Sequence, residues 1–161
     1  MPKLLFMLML ARVVCFGQSQ PKDADETLRG FTTMRVHVTF ENIQSGQEPG
    51  ESSTFQPYVE RRLRNAGIKI DNRPDFYPSL VMRLSRTSND AVGMNKMYGY
   101  CVTLHFTRTF MDSDKRLVAG ATYLPLAVFG FAGVLRYDDA ITDSVNTLVD
   151  AFTRDWKSAN R

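Results

Sequence analysis

Between Met34 and Trp156 the apolar side chains recur with two different periods, and the switches between them predict the elements. Met34, Val36, Val38 and Phe40 alternate with Arg35, His37 and Thr39, the period of two that a half-buried strand requires. Gln44–Ser53, with Gly46, Pro49 and Gly50 among Ser and Glu, reads as a loop. Phe55, Val59, Leu63 and Ala66 then repeat at helical spacing, with Glu60, Arg61, Arg62 and Arg64 on the other face. Ser53 or Thr54 is placed to cap this helix, Pro57 falls in its first turn, and Gly67 stands where a left-handed residue would end it.

The pattern returns to strands at Ile68–Ile70 and at Leu80, Met82 and Leu84, with Arg83 facing away. Tyr100, Val102, Leu104 and Phe106 form the strongest alternation, against Cys101, Thr103, His105 and Thr107, in the β-branched and aromatic types that suit a pleated surface. Asp112–Lys115 reads as a hairpin loop into a strand at Leu117–Leu124. A last helix is predicted from Tyr137 to Ser158, with Ile141, Val145, Leu148, Phe152 and Trp156 on one stripe, Val149 widening it, and Asp138 and Asp139 at its positive end. The order β-α-β-β-β-β-α, with hairpin-length links late in the chain, predicts an α+β fold: two layers, a mostly antiparallel sheet and two helices on one face.

Ahead of this pattern, Lys3 and the apolar run Leu4–Leu10, a second patch at Val13–Phe16 and the small-x-small triplet Gly17–Ser19 read as a secretory signal peptide over residues 1–19. Arg12 interrupts the run and opposes insertion. The run is also far short of the about 20 apolar residues of a spanning helix, so no transmembrane helix is expected in the mature chain. Cys15, with Val14 before it and Arg12 nearby, lacks the setting of a lipid anchor. Polar residues 20–30 read as a flexible tether, and 31–161 as a single domain. Export would place that domain in the periplasm or outside the cell.

Charge changes the picture little. The chain has 20 basic and 17 acidic side chains; removal of Lys3 and Arg12 leaves 18 against 17, so the net charge of +3 belongs largely to the leader. A near-neutral remainder argues against nucleic acid as a partner. Cys101 would be the lone cysteine after cleavage, so the core rather than a disulfide must hold the fold.

No arrangement of residues spells out a reaction. His37 and His105 fall on strands without the three ligands a zinc or copper site recruits, and there is no Gly-x-Ser-x-Gly, His-Glu-x-x-His or phosphate-binding glycine loop. No metal ligand and no cofactor is expected. Asp112 with Asp114 suits a turn, and Cys101, with no basic neighbour in sequence, suits a buried thiol. Two surfaces remain as candidates. One is the uncharged stretch Tyr123–Leu135, with Tyr123, Leu126, Val128, Phe129 and Phe131 as contact residues. It is expected either as a connection folded over the sheet end under Trp156 or Phe152, or as an exposed apolar loop that docks an envelope protein or lipid. The other is Arg61, Arg62 and Arg64, in a segment rich in arginine, facing an anionic partner.

In its opening strand MRVHVTF, the helix ending RRLRNAGIKI, the strands through YCVTLHFTRTF and the final helix DSVNTLVDAFTRDW, the chain resembles small envelope domains. These include the lipopolysaccharide-assembly lipoprotein and the amino-terminal domain of the Tol translocation protein. The resemblance implies a non-enzymatic envelope binding or assembly module. An exported small-molecule-binding or hydrolytic domain, whose polar residues converge only in three dimensions, is the alternative, and a pocket joining His37 or His105 to a carboxylate would favour it.

Overall fold

The computed structural model describes residues 27–42, 50–51, 54–73, 78–89, 97–111 and 117–161. The elements are β1 (Thr33–Asn42), β2 (Gly50–Glu51), α1 (Phe55–Asn65), β3 (Lys69–Ile70), β4 (Ser79–Asn89), β5 (Met97–Met111), β6 (Leu117–Gly133), a single 3₁₀ turn at Val134–Arg136, and α2 (Tyr137–Ala159). This is the expected α+β order with the two-residue β2 added inside what composition read as a loop. The leader, residues 1–19, and the Asp112–Lys115 hairpin tip lie outside the described residues.

The sheet runs β2-β1-β4-β5-β6, with β3 also on β1. β1 pairs parallel with β4, and β4–β5 and β5–β6 are antiparallel. Even-numbered residues of the long strands point to the helices: Met34, Val36 and Val38, then Leu80, Met82 and Leu84, then Val102, Leu104 and Phe106 are all buried. α1 packs Val59 and Leu63 on this face, and α2 packs Ile141, Val145, Leu148, Val149 and Phe152. Phe106 is the hinge of the core, stacked on Phe31 at 5.0 Å and met by Phe152 at 5.5 Å. With the buried apolar residues of β1, β4 and β5 all on one face, a single helical layer covers the core side of the sheet.

Three local expectations change. Thr54 occupies the start of α1 but its side chain makes no capping hydrogen bond; Gly67, at φ 99°, does take the left-handed conformation that ends the helix. The stretch expected as the end of a tether is packed: Leu28 is 1% exposed, and Asn160 clamps it by accepting from the Gly30 N–H and donating to the Leu28 carbonyl. Leucine at that position has enough apolar surface to join the core, which the polar residues before it conceal in a sequence window. Finally, Tyr123–Leu135 is no loop. β6 continues through Gly133 in register with β5, and its period of two is hidden because Pro125, Gly130 and Gly133 interrupt the side-chain pattern.

The outer side of β1 is closed in pieces. β3 pairs with Thr33 and Met34, and β2 with Thr39 and Phe40. Between them the Gln56 amide takes the place of a strand, its Oε1 accepting from the Val38 N–H at 2.7 Å and its Nε2 donating to the Val36 carbonyl at 2.8 Å. Asn72 Oδ1 accepts from the Val36 N–H at 3.1 Å, and the Asp71 N–H reaches the Met34 carbonyl at 3.0 Å. Glu60 holds both side chains in place, accepting from Gln56 Nε2 at 2.7 Å and Asn72 Nδ2 at 2.8 Å.

Candidate functional site

The sheet face away from the helices carries the odd-numbered residues, and cross-strand register arranges them in rows. At one end His37, Val81 and His105 form a row, so the two histidines share a face but are separated by a strand. Thr39, Arg83, Thr103 and Ala127 follow. Further along lie Glu41, Ser85, Cys101 and Phe129, then Thr87, Gly99 and Phe131. On β5 and β6 the face thus becomes apolar toward the start of β5 and the end of β6, with Glu41 on β1 as the charged member of the Cys101 row.

At the apolar corner a shallow groove of about 220 Å³ is lined by Ser85, Thr87, Gly99, Cys101, Phe129 and Phe131. Phe129 is 47% and Phe131 70% exposed, and near them in the chain pairing stand the partly exposed Met97, opposite Gly133, and the fully open Leu135. Gly99 is its floor: a Cβ there would meet Thr87 Cγ2 at 2.9 Å and the Phe131 ring at 3.3 Å, so the absence of a side chain lets the ring lie over the backbone. Burial pushes the Cys101 thiol above its ordinary pKa, which keeps it protonated and poorly nucleophilic.

β6 thus splits the expected contact residues between two faces. Val128 is buried against the helices and Leu126 is half-buried on the same side, whereas Phe129 and Phe131 point outward. Tyr123 sits on β6 opposite Phe106. Neither Trp156 nor Phe152 covers Phe129 and Phe131: Trp156 donates its indole N–H to the Phe31 carbonyl, and Phe152 packs on Phe106.

The arginines do not gather. Arg62 ties α1 to α2 through Asp150 and through Asn146 Oδ1 at 2.8 Å. Arg64 pairs with Glu60 at 2.8 Å, while Arg61 is exposed with its guanidinium 5.7 Å from the Tyr58 ring. Arg86 sits on the helix side, 5.0 Å from the Tyr98 ring, 5.4 Å from Phe40 and 5.8 Å from Tyr137. Burial raises the Tyr137 phenol to about 12, against the pull of Arg86. Both the rings around Arg86 and the Gln56 seal escaped sequence reasoning, since contacts between distant strands and helices leave no local pattern.

His105 is held below the usual histidine range by burial and by the Arg83 charge. Among the described residues no three of His, Cys, Asp and Glu come together to hold a metal, and no helix is long and apolar enough to cross a membrane.

No family model matches the chain, and no curated protein matches it. Among solved structures it is similar to a minor lipoprotein from Acinetobacter baumannii, at 10% identity and a TM-score of 0.39, over 81% of this chain and 93% of that one. The resemblance to the lipopolysaccharide-assembly lipoprotein and the Tol domain is therefore not carried by a family match.

Proposed function

We propose that this is an exported, non-enzymatic binding or assembly domain of the cell envelope, which docks an apolar group of an envelope partner on the corner formed by Phe129 and Phe131. One observation carries the reading: two large aromatic side chains, 47% and 70% exposed, flank a groove with an uncharged rim. Soluble domains rarely leave such a cluster open unless something covers it. The export step rests on the leader pattern of Lys3–Ser19. The arginine segment contributes less, because Arg62 and Arg64 are engaged within the fold. Nothing in the rows around His37 and His105 favours the hydrolytic alternative, as no carboxylate stands beside either within its row.

The test is fractionation of cells expressing the wild type and the double variant Phe129→Asp/Phe131→Asp. The wild type should be recovered with the envelope. The double variant should keep its circular dichroism and move to the soluble exported fraction. A folded double variant that stays with the envelope, or a wild type found in the cytosol, defeats the proposal.

A further inference from the structure

β6 is the last strand of the sheet, and among the described residues nothing pairs with its outer edge. An unpaired edge offers a row of N–H and C=O groups to any other strand, and proteins usually blunt it with charge, proline or bulges. The two halves of β6 differ in this respect. In the first half the register with β5 slips twice, between Leu104 and Phe106 and between Phe106 and Thr107, and Pro125 sits at the first slip. Such irregularity and a missing N–H spoil a template. From Leu126 to Gly133 the pairing with β5 is unbroken, Leu126 opposite Leu104 through Gly133 opposite Met97, and no residue in that run carries charge or is proline. Eight residues leave roughly 27 Å of regular edge.

We infer that this half of β6 pairs antiparallel with the same segment of a second copy, about a twofold axis at Gly130, to join two sheets into one. The inference rests on the reading of Phe129 and Phe131 as a docking corner and takes a second copy of this chain as the envelope partner that covers them. The sequence is self-complementary in that register. Phe129 falls opposite Phe131 of the other copy, and Phe131 opposite Phe129, so four rings form one cluster on the open face; Val128 falls opposite Ala132 on the helix side. Cross-strand aromatic pairs of this kind stabilise sheets. No charge meets another across the axis, since none is present between Leu126 and Gly133. The exposed parts of the two rings supply roughly 230 Å² per copy of the about 800 Å² per partner that a standard interface buries. The backbone edge, Met97 and Leu135 must add the rest. That places the dimer among weak, concentration-dependent ones.

Sedimentation equilibrium over a concentration series should show twice the chain mass at the top of the series and the chain mass on dilution. Phe131→Lys should remain monomeric throughout with unchanged circular dichroism. Register is read by Ala127→Cys/Gly133→Cys with Cys15 and Cys101 replaced by serine, because the twofold at Gly130 sets 127 opposite 133; a Cβ at Gly133 meets nothing within 4 Å. Air oxidation should give a covalent dimer. A wild type that is monomeric at every concentration, or a dimer that survives Phe131→Lys, overturns the inference. A monomeric wild type whose Phe129→Asp/Phe131→Asp variant still leaves the envelope fraction defeats the second copy as occupant and leaves the envelope role standing. So does a monomer that binds phosphatidylglycerol vesicles through the same residues.

Discussion

The two edges of the sheet are finished in opposite ways. On the β1 side every stretch of edge from Thr33 to Phe40 meets a partner: a strand at each end, and the Gln56 and Asn72 side chains between. On the β6 side no strand among the described residues pairs with the regular half, and Phe129 and Phe131 lie beside it. A chain that can close one edge with a single helix-borne amide has the means to close the other. The contrast is what sets the proposed contact surface on β6 apart from the internally bonded β1 side, and it can be attacked at either edge.

The largest effect should come from two adjacent residues of β6. Val128 is 6% exposed under the helices and Phe129 is 47% exposed on the other face. Val128→Asp places an unpaired carboxylate in the core and should cost about 4 kcal/mol or more, a large share of the about 5–15 kcal/mol that holds an ordinary domain folded. Phe129→Asp should change stability by no more than about 0.5 kcal/mol. Urea unfolding of both variants measures this, and equal losses would mean that β6 does not divide its residues between core and surface.

Next in size is the sealed edge. Gln56→Ala leaves the Val38 N–H and the Val36 carbonyl without their partner, and each such group costs about 1–3 kcal/mol where water cannot replace the bond. Allowing for partial access of water, a loss of about 2 kcal/mol is expected in urea unfolding. A loss below about 0.5 kcal/mol would show that water replaces the amide freely and that the two edges differ less than their hydrogen bonds indicate.

These two tests also mark what the sequence made legible. The alternation in β1, β4 and β5 and the helical stripes of α1 and α2 are set by burial on one face, a local signal, so the order of these elements along the chain and the two layers could be read directly, whereas the parallel pairing of β1 with β4 could not. In the second half of β6 the same signal is lost: Pro125, a residue rare inside strands, and two glycines without side chains break the alternation, so the strand beyond Leu124 reads as a connection or loop. The apolar corner was visible as composition, but its split into buried Val128 and exposed Phe129 depends on β6 being a strand. Gln56 gave no sign at all. A glutamine near a helix start is ordinary, and only the gap between β2 and β3, set by distant pairing, makes it a substitute strand.

A smaller effect separates the edges by pH. Burial pushes the Glu60 carboxyl up, but hydrogen bonds from Gln56, Asn72 and Arg64 outweigh it and hold the group below its ordinary value. The unfolded chain therefore binds the proton first as pH falls from about 4.5 toward the folded value, and stability is lost across that window and is fully present above it. Glu60→Gln should flatten this part of the profile of unfolding midpoint against pH. Leu126–Gly133 has no ionisable side chain, so Phe131→Lys should leave the shape of the profile in that window as it is. An unchanged profile in Glu60→Gln would remove Glu60 from the seal.

The smallest expected change in stability comes with a direct readout of the open edge. Cys101 shares a row with Phe129, and its thiol is pushed up by burial, so alkylation by iodoacetamide near neutral pH should be slow, limited by the small thiolate fraction and by cover from the neighbouring ring. In a Cys15→Ser background, Phe129→Ala removes that cover and should speed alkylation severalfold while shifting the unfolding free energy by no more than about 0.5 kcal/mol. Gln56→Ala, acting at the far edge, should leave the rate unchanged under folding conditions. If both variants speed alkylation alike, the thiol is reporting global opening of the domain. If only Phe129→Ala does, the groove is a local feature of the β6 edge, and slower alkylation at high protein concentration would then measure how far a second molecule covers it.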